Sequence, residues 1–428
     1  MMADFSVAVK DFDREYDLLV CGAGMGGLTA AIAAAENGLK VGVIEYFGEP
    51  GGIPVSGRLG SISGFSRLGV DVVTGFARKF ADELIKRGTA FDQYNGSNIN
   101  MTPAALCGFL LELLDFYKID IHFYTQLISV RTDDRRITHA VIANKEGIFA
   151  VKSKFFIDAT GDGDAAVMAG CPYEKGRKSD GKVQSSTLVF IMGGIDLQRI
   201  PEYMDIRKIW QKHTRPQVPA IATVFQFVPH GNSTNEVAVN MTHILNCDCT
   251  NVDDLGRIRK EGVKQAEYLV YEFFRKEVPG FENAWISHYA PQIGCRETRR
   301  ITGDYVLTED DVINYRRFDD EIACGIWPID IHNPDGMHTG CSHYLEKPYG
   351  IPYRCITPLG IDNLYVVGRP ISSDHVANSS SRINATCMAI GEAAGWACAE
   401  AIEKGSSRKV DVKALQKHVA QAVYSFFK

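Results

Sequence analysis

The chain has 428 residues, of which 45% are hydrophobic and 23% are charged, and its formal net charge is −6. A chain of this length can bury a large core and favours two domains, and the composition is typical of an ordinary globular protein. The mild negative charge excludes the basic surface expected of a protein that binds nucleic acid or an anionic membrane.

The amino-terminal segment and the cysteines indicate the compartment. The segment "MMADFSVAVKDFDREYD" has no basic stretch followed by an apolar one, so we expect no secretory signal and a cytoplasmic location. Eleven cysteines are scattered along the chain, and only Cys247 and Cys249 are close together. One C-x-C pair without a second pair or a histidine cluster is poor evidence for a metal. We therefore predict reduced thiols and no metal site.

The first glycine-rich turn lies between a predicted strand and a predicted helix. Residues 18–21 form an apolar run typical of a strand buried on both faces, and residues 28–35 are rich in strong helix formers. Gly22, Gly24 and Gly27 follow the G-x-G-x-x-G pattern. The first glycine permits the tight turn, and the second lets the backbone approach a pyrophosphate. The pattern predicts a dinucleotide at the helix N-terminus.

Glu45 supports the same prediction. It ends a predicted strand at residues 40–44, about 20 residues past the turn, where an acid bonds a ribose hydroxyl and disfavours a 2′-phosphate. A transmembrane helix over residues 18–35 is the alternative. That segment is interrupted by glycines and is followed by "ENGLK", which offers no aromatic or basic anchor of the expected kind. We set the membrane alternative aside and expect no integral membrane segment.

A second glycine-rich loop and several short elements follow. The loop contains Gly48, Gly51, Gly52, Gly57, Gly60 and Gly64, a spacing suited to close backbone approach. Amphipathic helices are predicted at residues 70–87 and 103–117, and strands at residues 119–123, 127–132, 138–144 and 148–153.

Two further strands end in glycine turns far along the chain. The strand at residues 155–157 runs into a turn through Asp158, Thr160, Gly161 and Asp162. A strand at residues 364–367 precedes Gly368, and a helix rich in small residues is predicted at 385–402. Three glycine-bearing strand ends spread over the chain predict one sheet assembled from distant segments around one long ligand.

The central part of the chain differs in pattern. We predict strands at residues 186–195, 221–229 and 236–242, and a long helix at residues 251–278. Residues 332–350 have the composition of an irregular loop at a site. Strands over one helix would form a wall above the ligand.

Several side chains in this region and after it are candidates for chemistry, and each has a structural alternative. Arg296, Arg299 and Arg300 could hold an anion in bidentate fashion, or pair with Glu297, Asp304 and Asp310. One of His332, His338 and His343 could be a general base, or all three could be exposed polar residues. Tyr353 and Arg354 could face the ligand, or Tyr353 could pack at a domain junction.

Five phrases of the sequence together carry a resemblance to a known family. They are "GAGMGGLTAAIAAA…VGVIE", "IDATGDGDAA", "CRETRRITGDYVLTEDDV", "YGIPYRCITPLGIDNLYVVGR" and "CMAIGEAAG". This set resembles the FAD-dependent oxidoreductase family of the glutathione-reductase-like flavoprotein superfamily, over nearly the whole length. The resemblance implies an α/β fold. A discontinuous Rossmann-like FAD-binding domain would comprise residues 1–170 and 351–428, and an inserted α+β substrate domain would comprise residues 171–350.

The resemblance also implies site residues. Those expected to bind FAD are Gly22, Ala23, Gly24, Met25, Gly26, Gly27, Glu45, Tyr46, Gly51, Gly52, Gly57, Thr160, Gly161, Asp162, Gly368, Arg369, Ala385 and Thr386. His375 and Arg382 correspond to a segment beside the flavin pyrimidine, where positive charge stabilises the reduced flavin. The expected catalytic residues are His375, Arg382, His338, His343, Tyr353 and Arg299.

The expected function is hydride exchange between flavin N5 and a small polar substrate, which could be an alcohol or polyol, a hydroxy acid or an activated alkene. Arginines would hold an anionic group of it. A lyase or hydratase with a structural or electrostatic FAD is the alternative, and an NAD-dependent enzyme is a second one. The sequence has no second G-x-G-x-x-G motif that would hold NAD(P)H, and no cysteine cluster that would suggest an iron-sulfur centre. The sequence leaves that acceptor unknown and is compatible with a homo-oligomer.

Overall fold

The computed structural model describes residues 7–93, 96–213, 218, 227–229, 235–336 and 340–428. Within these ranges the strands are, in chain order, β1 (Lys10–Asp11), β2 (Tyr16–Cys21), β3 (Val41–Ile44), β4 (Ser61–Ser63), β5 (Ser66–Arg67), β6 (Val70–Asp71), β7 (Ala90–Gln93), β8 (Asn98–Met101), β9 (Asp120–His122), β10 (Gln126–Asp133), β11 (Arg136–Asn144), β12 (Gly147–Asp158), β13 (Tyr173–Lys175), β14 (Phe190–Gly193), β15 (Phe227–Pro229), β16 (Val237–Val239), β17 (Trp285–Tyr289), β18 (Arg299–Ile301), β19 (Glu321–Gly325), β20 (Ile329–Ile331), β21 (Gly340–His343), β22 (Tyr349–Pro352) and β23 (Leu364–Val366).

The α-helices in the same ranges are α1 (Met25–Glu36), α2 (Gly75–Lys86), α3 (Pro103–Phe116), α4 (Asp164–Met168), α5 (Tyr203–Lys212), α6 (Val252–Tyr268), α7 (Arg275–Glu277), α8 (Glu309–Ile313), α9 (His375–Ser381), α10 (Asn384–Lys404) and α11 (Val412–Gln421). Short 3-10 turns lie at Tyr353–Cys355, Ser407–Lys409 and Ser425–Phe427, and Leu269–Phe274 is a π-helical turn between α6 and α7. None of the described helices is long and apolar enough to span a membrane.

The largest sheet brings the three glycine turns together. Its strand order is β10, β11, β12, β2, β3, β9, and β1 and β23 also pair with β12. Strands β2, β3, β12 and β23 run parallel to their partners in this group. The side chains of β2 at Leu18, Leu19 and Val20 are fully buried, as expected of a parallel strand covered on both faces. Because parallel strands end at the same edge, the prediction of one sheet built from distant segments is confirmed.

Helices α1 and α10 pack closely against each other beside this sheet, through small residues. A Cβ atom added to Gly391 of α10 would overlap the carbonyl oxygen of Gly26 in α1. A Cβ atom on Gly395 would likewise overlap the carbonyl oxygen of Ala30. The absence of these two side chains lets the helix backbones touch, so α10 is fixed directly over the first glycine turn.

A second sheet has a core of its own. Strands β15, β16, β14 and β17 are antiparallel in that order. Phe190 of β14 packs in one apolar cluster with Phe273 of the π-helical turn. Strands β14 and β16 fall within the segments predicted at residues 186–195 and 236–242. The strand predicted at residues 221–229 includes β15, and its other residues lie outside the described ranges.

The structure corrects several predicted elements. The helix predicted at residues 70–87 starts only at Gly75, where φ is +66°, because residues 70–71 pair with β5 as strand β6. The strands predicted at 148–153 and 155–157 are one continuous strand, β12, which reaches across the sheet. The long helix at 251–278 contains the π-helical turn.

Two further expectations are corrected. The segment predicted as an irregular loop at residues 332–350 contains strand β21, paired with β20. Cys249 and Cys295 form a disulfide, so the prediction of reduced thiols is wrong for this pair.

Glu392 in the middle of α10 is a buried carboxyl group. The backbone N–H of Phe76 donates to its Oε1 at 3.1 Å and the hydroxyl of Tyr424 donates to the same atom at 2.8 Å. Burial raises the pKa of Glu392 to about 7, and the hydrogen bond from Tyr424 offsets only part of this effect. Glu392 thus links α10 to the start of α2 and to the carboxyl-terminal segment.

We expect Glu392 to make the free energy of unfolding fall as the pH rises from about 4.5 to about 7. The folded state binds the proton more tightly than the unfolded state, so stability is greatest below the unfolded pKa and is lost through the folded one. The raised pKa corresponds to a loss of about 3 kcal/mol. In Glu392→Gln this part of the pH dependence should disappear in urea unfolding curves, whereas Glu403→Gln, exposed on the same helix, should behave as wild type. An unchanged slope in Glu392→Gln would contradict the assignment.

Candidate functional site

The first glycine turn forms an open cradle at the carboxyl end of β2. Gly22 has φ of +104°, and a side chain there would overlap the backbone of Ala159. Gly24 caps the N-terminus of α1, and a Cβ atom on it would meet no heavy atom within 4 Å. Met25 and Gly26 begin α1, and a side chain on Gly27 would overlap the carbonyl oxygen of Gly22. The open space at Gly24 therefore lies in front of helix N–H groups, which favour a phosphate.

The second glycine loop crosses the first turn. The N–H of Gly51 donates to the carbonyl oxygen of Ala23 at 2.7 Å, and Gly24 and Gly51 form a parallel bridge. A Cβ atom on Gly52 would lie 3.1 Å from the Cα atom of Gly24. Gly57 lies in the turn that follows, where its N–H points to the carbonyl oxygen of Gly52. The two loops together form a backbone-lined surface, which we call the channel.

The turns after β12 and β23 close the far side of this channel. Thr160 is held by Asp158, and Gly161 and Gly368 have φ of +83° and +82°. Arg369 donates from Nε to the carbonyl oxygen of Gly161 at 2.9 Å and from Nη2 to Asp162 at 2.6 Å. Gly26 approaches the backbone of Gly368 and the carbonyl oxygen of Cys387.

The start of α10 completes the channel with unused polar groups. Ala385 and Thr386 are buried in its first turn. The hydroxyl of Thr386 is buried and has no hydrogen-bond partner in the described chain. Open glycine faces, helix N-termini and an unused hydroxyl along one channel fit a long ligand that carries phosphates.

Tyr46, which the resemblance implied at the cofactor, lies at the protein surface. Its side chain is 61% exposed and packs against Phe47. Glu45, one residue earlier, is buried at the mouth of the first turn. Its carboxylate accepts from the N–H of Ala23 at 2.7 Å and from the N–H of Phe47 at 2.8 Å. Burial raises the pKa of Glu45, and these backbone hydrogen bonds oppose the rise.

Glu45→Ala should purify with much less bound dinucleotide. The loss removes a charged hydrogen-bond acceptor for a ribose hydroxyl and frees the N–H of Ala23, with an expected cost in affinity of about 1.5–3 kcal/mol. Dinucleotide occupancy and the dissociation constant from apoprotein titration give the measurement. Glu49→Ala is the control, because Glu49 forms a partly exposed ion pair with Arg58 in the same loop. If Glu45→Ala retains the same full occupancy as the Glu49→Ala control, Glu45 does not contact the cofactor.

His375 begins α9 and is held by a buried acid. Its Nδ1 lies 2.8 Å from Oε2 of Glu297, which is fully buried. Glu297 also accepts from Arg300 and from the N–H of Gln184. Nε2 of His375 has no hydrogen-bond partner among the described residues. A carboxylate on Nδ1 fixes the ring and leaves Nε2 available for proton transfer.

A second group of charges lies beside His375. Arg382 follows α9, and its Nη2 donates to the carbonyl oxygen of Asp330 at 3.1 Å and lies 3.7 Å from Oδ2 of the same residue. His332 lies 3.5 Å from Asp330 through Nε2 and 3.2 Å from His243 through Nδ1. Arg296 donates to the carbonyl oxygen of Ser185 at 3.0 Å. We call Arg296, Arg382, Asp330, His332 and His243 the buried charge cluster.

The protonation states within the buried charge cluster follow from burial and from the two arginines. Burial and then the charge of Arg296 lower the pKa of His332 to about 4, so this imidazole is neutral near pH 7. Burial also lowers the pKa of His243. For Asp330, burial alone would raise the pKa, but the hydrogen bond with His332 and the charges of Arg382 and Arg296 outweigh it and keep the carboxylate ionised.

Residues 184 and 185 connect His375 with the buried charge cluster. The N–H of Gln184 donates to Glu297 at 3.0 Å, and its side-chain oxygen accepts from the N–H of His332 at 3.1 Å. The N–H of Ser185 donates to the carbonyl oxygen of His332 at 2.9 Å. The amide nitrogen of Gln184 and the hydroxyl of Ser185 are buried without a partner in the described chain. His375 and the buried charge cluster are therefore two ends of one polar site.

Other expected catalytic residues lie away from this site or are engaged elsewhere. Arg299 pairs with Asp164 at 2.6 Å, an acid outside the set expected from the sequence. The hydroxyl of Tyr353 is buried and donates to the carbonyl oxygen of Ser407 at 2.6 Å. Arg354 pairs with Asp320 at 2.9 Å. His343 is exposed on β21, and His338 lies outside the described residues.

The sequence alone did not single out Asp330, His243 or Gln184, nor a role for Glu297 beyond pairing with arginine. Asp330 stands between Ile329 and Ile331 in strand β20. Alternate residues of a strand face opposite sides, so the side on which this acid lies can be inferred only once the strand is known.

The chain belongs to the FAD-dependent oxidoreductase family, whose model matches residues 17–419. The protein is an FAD-dependent oxidoreductase, and its cofactor is FAD, which fits the channel described above. No curated protein matches the chain at a significant level.

The solved structures to which the chain is similar are distant in sequence. A geranylgeranyl bacteriochlorophyll reductase-like protein from Thermoplasma acidophilum is 14% identical, with a TM-score of 0.46 over 96% of this chain and 84% of its own. The p-nitrophenol 4-monooxygenase of Pseudomonas putida is 10% identical, with a TM-score of 0.49 over 96% and 85%. A flavin-dependent brominase is 14% identical, with a TM-score of 0.48 over 95% and 84%. Because each TM-score is below 0.5, none of them bears on the reaction of this chain.

Proposed function

We propose that the protein exchanges a hydride between FAD and a small polar organic substrate, with His375 as the acid or base. The observation that carries this proposal is the pairing of His375 with the buried Glu297, which leaves Nε2 of the imidazole unpartnered among the described residues. When bound, FAD supplies the two-electron acceptor or donor at N5 of the flavin.

The chain's own residues would then do three things. Glu297 and Arg300 fix the His375 ring, so Nε2 can take the proton of a substrate hydroxyl as the carbon loses a hydride. The buried charge cluster orients the rest of the substrate. The burial of Arg296, with the neutral His332 and His243 beside it, keeps water away from its charge and strengthens its interactions. In the opposite direction, His375 returns the proton.

We further propose the domain division and the superfamily. Residues 1–170 and 351–428 would form the FAD-binding domain, and residues 171–350 would form an inserted α+β substrate domain. The parallel group of β2, β3, β12 and β23 supports the first, and the separate sheet of β14–β17 supports the second. The same parallel group supports membership of the glutathione-reductase-like flavoprotein superfamily.

An anaerobic screen tests the proposed reaction. The FAD-loaded protein is mixed with alcohols and polyols, with hydroxy acids and, after chemical reduction of the flavin, with enoates. Loss of the oxidised flavin absorbance with a hydroxyl compound is expected for an oxidase or dehydrogenase, and reappearance of that absorbance with an enoate for a reductase. Product formation without any change in the flavin spectrum would contradict the proposal and favour a lyase or hydratase.

A further inference from the structure

Arg296 is buried and Arg382 is partly buried, and the two carry more positive charge than their neighbours neutralise. Arg296 is 6% exposed, and it donates to the carbonyl oxygen of Ser185 and to Oδ1 of Asn240, at 3.0 and 3.2 Å. Both acceptors are neutral. In the part of the chain that is described, no carboxylate lies within 4.0 Å of its guanidinium group. Burial and then the charge of Arg382 lower the pKa of Arg296 to about 9, so it is still charged near pH 7.

The charges of the site do not cancel. Arg296 and Arg382 are cations, Asp330 is the one anion of the buried charge cluster, and His332 and His243 are neutral near pH 7. One positive charge is left over in a buried region. An uncompensated buried charge is costly unless a ligand pairs with it. The site therefore favours a ligand that carries one negative charge.

The hydrogen-bond groups of the site are also incomplete. A guanidinium group has five N–H donors, and Arg382 forms one hydrogen bond with the described residues, to the carbonyl oxygen of Asp330. Its Nε is buried without a partner, as are the amide nitrogen of Gln184 and the hydroxyl of Ser185. Arginine forks match the planar, two-oxygen geometry of a carboxylate. The unused groups thus include donors of the kind that a carboxylate accepts from.

Helix α9 places this site at a defined distance from His375. His375 is the first residue of α9 and Arg382 caps its end, seven residues later. Seven residues make almost two full turns, so both side chains leave the same face, about 10 Å apart along the axis. Arg296 and Glu297 are consecutive in the chain. Arg296 belongs to the buried charge cluster, whereas Glu297 contacts His375. Because the His375 and Arg382 side chains project from one face of α9, one molecule bound along that face can contact both.

We propose that Arg296 and Arg382 bind the carboxylate of the substrate, a small hydroxy acid whose hydroxyl group is presented to His375. This inference rests on the proposed function and specifies its substrate class. The excess positive charge would be neutralised by one carboxylate, and a second carboxylate would have no partner among the described side chains of the site.

Binding of a non-reacting acid tests the inference. The FAD-loaded protein is titrated with propionate and with propionamide, which has nearly the same shape without the charge. Flavin absorbance and the unfolding temperature report binding without turnover, because a ligand of the folded state raises that temperature. We expect propionate to shift both signals and propionamide to shift neither. Equal binding of the two compounds would overturn the inference.

Variants of Arg296 separate its roles. Arg296→Met should weaken propionate binding about 10- to 100-fold, as expected for loss of a charged hydrogen bond. Arg296→Lys, which retains the charge without the fork, should bind with intermediate affinity. Arg408→Leu is the control, because Arg408 pairs with Asp304 and Asp362 and contacts no residue of the buried charge cluster. Flavin content and circular dichroism verify that each variant is folded.

The possible outcomes distinguish this inference from the proposed function. If Arg296→Met binds propionate as tightly as wild type, the two arginines do not form a carboxylate site, whatever the screen of substrates shows. If propionate binds as expected and no alcohol, polyol, hydroxy acid or enoate changes the flavin spectrum, the carboxylate site stands and the proposed hydride exchange fails.

Discussion

Replacing His375 by alanine is expected to slow flavin reduction by an active substrate about 10²- to 10⁴-fold, while FAD stays bound. A positioned general base contributes a factor of this size. Nδ1 of His375 is held by Glu297 at 2.8 Å, so the ring is oriented before substrate binds. The rate constant for flavin reduction, measured by anaerobic stopped flow at saturating substrate, gives the value.

Chemical rescue makes this experiment specific. Free imidazole can occupy the space left in His375→Ala and accept the proton, so added imidazole should restore part of the lost rate. Glu297→Gln should lower the rate less, because an amide still holds Nδ1 but carries no charge. His139→Ala, on strand β11, should reduce the flavin as fast as wild type. A reduction rate in His375→Ala within about threefold of wild type would mean that another group is the base.

Gly391→Ala is expected to lower the free energy of unfolding by about 1–3 kcal/mol and to release FAD. Forcing a methyl group into a well-packed interface typically costs this amount. Here the methyl group would overlap the carbonyl oxygen of Gly26, which belongs to the backbone of α1 and cannot rotate away. The helices must move apart, and α1 carries the N-terminal end of the cradle with it.

The matched control is the same substitution in another helix. Gly256 lies on an exposed face of α6, and a Cβ atom there would meet nothing within 4 Å. Gly256→Ala should therefore raise the free energy of unfolding by about 0.5–1 kcal/mol, since alanine restricts the unfolded chain and favours the helix. Urea unfolding followed by circular dichroism, together with flavin content, compares the two variants. Equal stability of Gly391→Ala and wild type would show that the two helices are not in backbone contact.

The sheet and its glycine turns could be predicted because their causes are local. Gly22 and Gly368 stand where the chain turns with positive φ directly after buried strands, and both the apolar runs and the glycines are visible in the sequence. The helix at α10 was similarly visible from its small residues. The start of α2 was missed, because the pairing of residues 70–71 with β5 is a tertiary contact that overrides an amphipathic pattern.

The polar site could be predicted only in part. His375 and Arg382 came from their position in a family phrase, and the structure places both in one polar site. The partners of adjacent arginines could not be predicted: Arg296 lies in the buried charge cluster, whereas Arg299 pairs with Asp164 across more than a hundred residues of sequence. Which of several neighbouring cations is buried and which is paired depends on strand direction and packing, neither of which is encoded in spacing.

The contact between α1 and α10 has a consequence for biosynthesis. Gly26 and Gly391 are 365 residues apart, so at ~5–20 residues per second the first helix is made roughly 20–70 s before its partner. During that interval the alanine-rich face of α1 has no native cover, and the nascent chain depends on other contacts or on chaperones to avoid aggregation. We therefore expect FAD to be captured only after α10 has left the ribosome, and translation halted before that helix to yield a chain without flavin.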